Sequence, residues 1–143
     1  MRFSRFGVIE YDQESATRGY TLFTPLIQRT TYLMDLNGKL VHKWDLEAQP
    51  GNYAQMLDNG NLFVSVKTDK GPFHLTAKGG RLMELDWNGD LIWEYTDDFQ
   101  HHDFRRLPNG NTIYLAWELL SNEFATRVRG GSAGTEDSDG IWG

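Results

Sequence analysis

Cysteine is absent from the 143 residues, which excludes disulfides, thiolate nucleophiles and cysteine metal sites and leaves the redox compartment unread. Basic clusters are scarce too. The densest is Arg105-Arg106, and 14 Lys and Arg stand against 20 Asp and Glu for a formal charge of −6 and a pI near 5.1. That balance offers no electrostatic footprint for nucleic acid or an anionic membrane, so neither is expected as a partner. No run of about 18 apolar residues is there to span a bilayer. The segment Met1–Asp12 lacks the apolar stretch of a secretory signal, so a cytoplasmic chain is expected. A sustained helical period is also missing. What remains is plentiful apolar material, 39% hydrophobic and 13% aromatic, enough for the core of one domain.

That material comes in short runs of Val, Ile, Leu, Phe, Tyr and Trp bounded by Asn-Gly or other glycine turns, the pattern of an all-β chain. Strands are expected near Tyr20–Thr24, Thr30–Leu36, Lys39–Asp45, Tyr53–Leu57, Asn61–Lys67, Arg81–Trp87, Asp90–Tyr95, Asp103–Leu107 and Asn111–Glu118. Asn37-Gly38, Asn59-Gly60, Asn88-Gly89 and Asn109-Gly110 suit tight type I′ hairpins. Ala48–Gly51 and Asp69–Gly80 read as loops, and Leu119–Gly143, rich in Gly, Ser, Thr, Glu and Asp, as a long connecting loop leading toward a further strand at Ile141-Trp142.

Two stretches repeat. Met34-Asp35-Leu36-Asn37-Gly38 matches Leu85-Asp86-Trp87-Asn88-Gly89, and Leu57-Asp58-Asn59-Gly60-Asn61 matches Leu107-Pro108-Asn109-Gly110-Asn111. The period of about 50 residues is that of a β-propeller blade rather than of a helical solenoid. Residues 1–143 are therefore expected to form one partial propeller domain. Its blade-like repeats would lie at about 20–67 and 81–118, giving about two and a half four-stranded blades of a six-bladed whole. A small closed barrel or sandwich is the competing architecture. Terminal blades would expose strand edges, which points to a piece of a longer polypeptide, or to a subunit completed by other chains.

Where the copies differ is informative. The second carries His101-His102-Asp103-Phe104-Arg105-Arg106 where the first has Gly51-Asn52-Tyr53-Ala54-Gln55-Met56. With Gly19-Tyr20-Thr21-Leu22-Phe23-Thr24-Pro25, the Asn-Gly turns, Leu107-Pro108-Asn109-Gly110-Asn111 and Gly134-Thr135-Glu136-Asp137, these residues make the chain resemble the arylsulfotransferase family of propeller proteins. The resemblance covers most of the chain. It implies transfer of a sulfuryl group from an aryl sulfate to a phenol through a covalent histidine intermediate, with further histidines and an arginine around a central funnel. It also implies a periplasmic or secreted location as the alternative to the cytoplasm, and it implies no cofactor.

The chemistry suits the residues. Imidazole is nucleophilic when neutral, titrates near physiological pH, and is oriented by a hydrogen bond to its other nitrogen. His101 and His102 are the candidate nucleophiles and Asp103 a candidate orienting carboxylate. Arg105 or Arg106 would stabilise a tetrahedral oxyanion with its guanidinium fork. Strand alternation puts His102 and Phe104 on one side and His101 and Asp103 on the other, unless the strand begins after the histidines. Adjacent histidines are poor mutual ligands, and no metal is expected. His42, set opposite Trp93, and His74 read as structural, Trp44, Trp87, Trp93 and Trp117 as packing between blades, and Glu136–Gly140 as a solvated acidic turn rather than a calcium loop. Two other functions fit the same pattern: a non-catalytic propeller that binds a protein or small ligand, and a quinone-dependent dehydrogenase-like propeller, for which calcium and quinone ligands are missing.

Overall fold

The computed structural model of the chain describes residues 8–72, 75–129, 136–137 and 140–143. The chain is all-β. Its strands are β1 Tyr20–Phe23, β2 Thr30–Asp35, β3 Leu40–Asp45, β4 Pro50–Met56, β5 Leu62–Lys67, β6 Gly80–Leu85, β7 Leu91–Thr96, β8 Gln100–Arg106, β9 Thr112–Ala116, β10 Leu119–Ser121, β11 Glu136–Asp137 and β12 Gly140–Trp142. One short helix, α1, spans Asn122–Ala125 and is capped by the Ser121 side chain. The strands form four antiparallel sheets, ordered β1-β2-β3, β4-β5-β6-β7, β8-β9 and β10-β12-β11.

Four hairpins share one turn, and it is not the expected type I′. In each, the glycine N–H donates to the carbonyl three residues back, as Gly38 does to Asp35 and Gly89 to Asp86. The residue at the turn's start then donates its N–H to the carbonyl of the residue following the glycine. Only the glycines take positive φ, +80° at Gly38 and +90° at Gly89, while the asparagines before them do not. This is a type I turn closed by a glycine bulge. Side-chain oxygens select it: Asp35 Oδ1 accepts from the N–H groups of Asn37 and Lys39, and Asp86 Oδ1 from Asn88 and Asp90. In these two hairpins a carboxylate two residues before the asparagine holds the central residues in the right-handed region, which type I′ would forbid; in the other two the asparagine's own Oδ1 accepts from the N–H of Asn61 or Asn111.

Strand β5 lies at the centre of the packing. Leu62, Val64 and Val66 point one way and pack with Met83 and Leu85 against Leu33, Trp44 and Leu46 of the first sheet and the chain just after it. Phe63 points the other way and joins Leu82 and Phe104 under Tyr53, Trp93 and Tyr114. The four-stranded sheet is therefore covered on one face by β1-β2-β3 and on the other by β8-β9. Each fully buried Leu, Val or Phe contributes about 1.5–3 kcal/mol relative to exposure, so β5 anchors both interfaces.

Aromatic contacts add to the first interface. His42 stacks on Trp87 with ring centroids 4.1 Å apart, and its Nε2 donates to the Trp87 carbonyl at 2.7 Å. Trp44 Nε1 donates to the Asp86 carbonyl at 2.8 Å. His42 thus packs in the interface between the two sheets, stacked on Trp87. His74 lies outside the described residues, as do Gly134, Thr135, Ser138 and Asp139.

Three further expectations change. Pro50 and Gly51 belong to β4 rather than to a loop. The segment after Leu119 holds β10, α1, β11 and β12 rather than an uninterrupted connection. Among the described residues one of the four sheets, from Pro50 to Thr96, has the four strands expected of a blade, and the others have three, two and three. Among the described residues no helix is long and apolar enough to cross a membrane.

Candidate functional site

Strand β8 begins at Gln100, so both histidines lie inside it. Its pairing with β9 is interrupted: His101 pairs with Leu115 and Phe104 with Tyr114, leaving His102 and Asp103 unmatched. The first copy does the same. Pro50 pairs with Val66 and Ala54 with Val64, so Gly51, Asn52 and Tyr53 face Ser65 alone. The two bulges occupy the same repeat position, and at both the second residue has positive φ, 97° at Asn52 and 48° at His102. The bulge also cancels the simple alternation, since Phe104 is buried while His102 is exposed.

A third segment lies between them. Ala77 has φ 60° and accepts a hydrogen bond from the His102 N–H at 3.0 Å. Lys78 bridges His101, and a Cβ on Gly51 would meet the Gly79 Cα at 2.7 Å. Asn52, Ala77 and His102 are the non-glycine residues with positive φ among those described, and they gather at one place. Such conformations cost of order 1–3 kcal/mol each and concentrate where function requires them.

Gln100 holds the arrangement together. It is 1% exposed. Its Oε1 accepts from Ser65 Oγ at 2.7 Å and from the Gly80 N–H at 3.1 Å, and its Nε2 donates to the His101 carbonyl at 3.0 Å. Ser65 is the residue that the β4 bulge faces, so one buried carboxamide connects both bulges. Gly79 is glycine for this reason: a Cβ there would collide with Gln100 Oε1 and Ser65 Oγ.

The histidines meet through their ring nitrogens. His101 Nδ1 and His102 Nδ1 are 2.8 Å apart, a distance that requires one to carry the proton and the other the lone pair. His101 stacks on Trp117 at 4.1 Å, which gives that tryptophan a contact at the histidine pair rather than a packing role alone. Burial first, and then the neighbouring His102, hold the His101 pKa below its ordinary value, which favours its neutral form. Among the described residues Nε2 of His102 makes no hydrogen bond.

A cleft of about 590 Å³ opens beside them, lined by Asn52, Tyr53, His102, Asp103, Arg105 and Tyr114 among others. Tyr114 donates its hydroxyl to Asp97 at 2.9 Å. Burial, with hydrogen bonds to Tyr95 and Asp97, raises its pKa, so it remains a neutral phenol. No family model, curated protein or solved structure matches the chain. The site therefore rests on its own geometry.

That geometry brings some of the expected residues together and separates others. Asp103 Oδ1 accepts from the Phe104 N–H at 2.8 Å and orients no imidazole; His101 makes that contact to His102. Arg106 turns away from the histidines. Its Nη2 pairs with Glu84 at 3.3 Å, its Nη1 donates to the Gly110 carbonyl, and its guanidinium lies 4.6 Å over Phe63 and 4.3 Å over Trp93. The arginine that shares the cleft with His102 is Arg105. Among the described residues no group of three or more His, Asp or Glu side chains converges on a metal position. Gln100 and Ala77 carried no motif. The sequence signal for Asn52 was its alignment with His102.

Proposed function

We propose that the cleft takes an aryl sulfate and that His102 carries its sulfuryl group to a phenolic acceptor, within a propeller of which these sheets are part. The observation that carries this reading is the Nδ1–Nδ1 contact of 2.8 Å between His102 and a neighbouring imidazole whose neutral form is favoured. With the shared proton on His102 Nδ1 and the lone pair on His101 Nδ1, Nε2 of His102, a residue that lines the cleft, holds a free electron pair. Nε2 attacks sulfur, the Nε2–S bond forms, and the S–O bond to the aryl oxygen breaks to release a phenolate. The positive charge left on the sulfonated His102 ring is shared through Nδ1–H with His101. An acceptor phenol then attacks sulfur, its proton passing to the released phenolate or to water, the Nε2–S bond breaks, and His102 returns to its neutral state.

Arg105 supplies the cation that a transferring sulfuryl group requires, and Tyr53 and Tyr114 supply an aromatic wall for the aryl ring. The sequential stacking of β1-β2-β3, β4-β5-β6-β7 and β8-β9 supports the propeller part of the reading. A second reading, a non-catalytic binding module, is favoured by Ile113 and Leu115, which stand 59% and 52% exposed on β9. Incubation with 4-nitrophenyl sulfate and phenol separates the two. Nitrophenol release that requires phenol and disappears in His102→Ala supports transfer; absence of release from the wild-type protein leaves the binding module.

A further inference from the structure

We infer that Asn52 is a substrate-binding residue, its carboxamide donating a hydrogen bond to a sulfuryl oxygen from the side of the cleft opposite His102. The inference rests on the sulfuryl-transfer reading of the cleft. Asn52 and His102 stand at the same step of two matching strand bulges, and both line the one cleft. The two strands come from different sheets, β4 and β8, and Gln100 of β8 is tied to Ser65 of β5, the strand that pairs with β4. Asn52 is exposed, and among the described residues its side chain makes no hydrogen bond. It is thus an uncommitted donor pair pointing from an over-determined backbone. The sulfuryl group of an aryl sulfate presents three non-bridging oxygens. Arg105 satisfies one or two by its fork, His102 addresses the sulfur, and a neutral donor across the cleft completes the set without making release of the product too slow.

Backbone tolerance alone also favours asparagine at φ 97°, because Asn enters the left-handed region more readily than most residues. Glycine separates the two explanations. Asn52→Gly keeps the conformation and removes the carboxamide, while Asn52→Asp keeps the shape and places a carboxylate against the anion. Binding of inorganic sulfate and of 4-nitrophenyl sulfate would be followed by NMR shifts of the Asn52 and His102 region, with turnover measured in parallel.

The expected result is roughly tenfold to hundredfold weaker sulfate binding in Asn52→Gly, the loss of one hydrogen bond to a charged acceptor, with unfolding midpoint unchanged or higher. Binding by Asn52→Asp is expected to be weaker still. Equal binding by wild type and Asn52→Gly overturns the role of Asn52 and leaves the transfer reading intact. Sulfate binding that depends on Asn52 without any turnover upholds the role and overturns the transfer reading. No binding to wild type overturns both. If Asn52→Gly does not fold, Asn52→Asp decides, with undiminished binding counting against the role.

Discussion

Replacing His102 separates the demands of backbone from those of chemistry. Its φ of 48° costs any residue with a Cβ about 1–2 kcal/mol relative to glycine, and His102 already carries that cost, as Ala77 does at φ 60°. His102→Gly should therefore leave stability unchanged or raise it by up to about 1 kcal/mol, and His102→Ala should change it little on backbone grounds, as urea denaturation would report, while both lose turnover. His101 makes a pH prediction. Its pKa is lowered in the folded state. Above the ordinary imidazole value of about 6.5 the ring is neutral whether the chain is folded or not, and stability is unaffected. As pH falls below that value the unfolded chain takes up the proton first, so stability declines until the folded ring also protonates. Urea midpoints measured from pH 8 down to pH 5 should drop in the wild type and drop less in His101→Gln.

Among the elements, β8 depends on Gln100 more than on any apolar residue except Phe104. Gln100→Ala strands the Ser65 hydroxyl and the Gly80 N–H in a dry interior, at about 1–3 kcal/mol each. The loss should exceed that of an exposed substitution such as Arg105→Ala by several-fold in chemical denaturation. The strands themselves were legible in the sequence. β5 and β6 are rich in Leu, Val, Phe and Met, and β3, β5, β7 and β9 each begin just after an Asn-Gly turn, so propensity and turn chemistry pointed the same way. The turn type was misread because the positive-φ demand of Asn-Gly was weighed and the side-chain acceptors, Asp35 and Asp86 in two hairpins and Asn59 and Asn109 in the others, were not. The bulges were not legible either. Period-two reasoning assumes that each residue has a partner across the ladder, and nothing in Gly51-Asn52-Tyr53 or His101-His102-Asp103 announces that the partner strand is shorter. The histidine pair was legible as a candidate because the repeat supplied its own reference. The contact between its rings was not, because it follows from the bulge.

At the scale of the whole molecule, the chain behaves as stacked sheets tied through β5. Hydrogen exchange should be slowest in β5 and β6, whose residues are covered on both faces, and fastest in β1 and β7, whose outer edges carry exposed Tyr20, Leu91 and Ile92. The four repeated turns give the molecule a chemical property as well. Spontaneous deamidation at Asn-Gly needs the glycine nitrogen to swing onto the asparagine side chain and close a succinimide. At Gly38, Gly60, Gly89 and Gly110 that nitrogen is already bonded to a carbonyl three residues back. Ageing at these positions is suspended while the hairpins are closed and resumes when they open, so isoaspartate accumulating in stored protein would record how long each hairpin has spent unfolded.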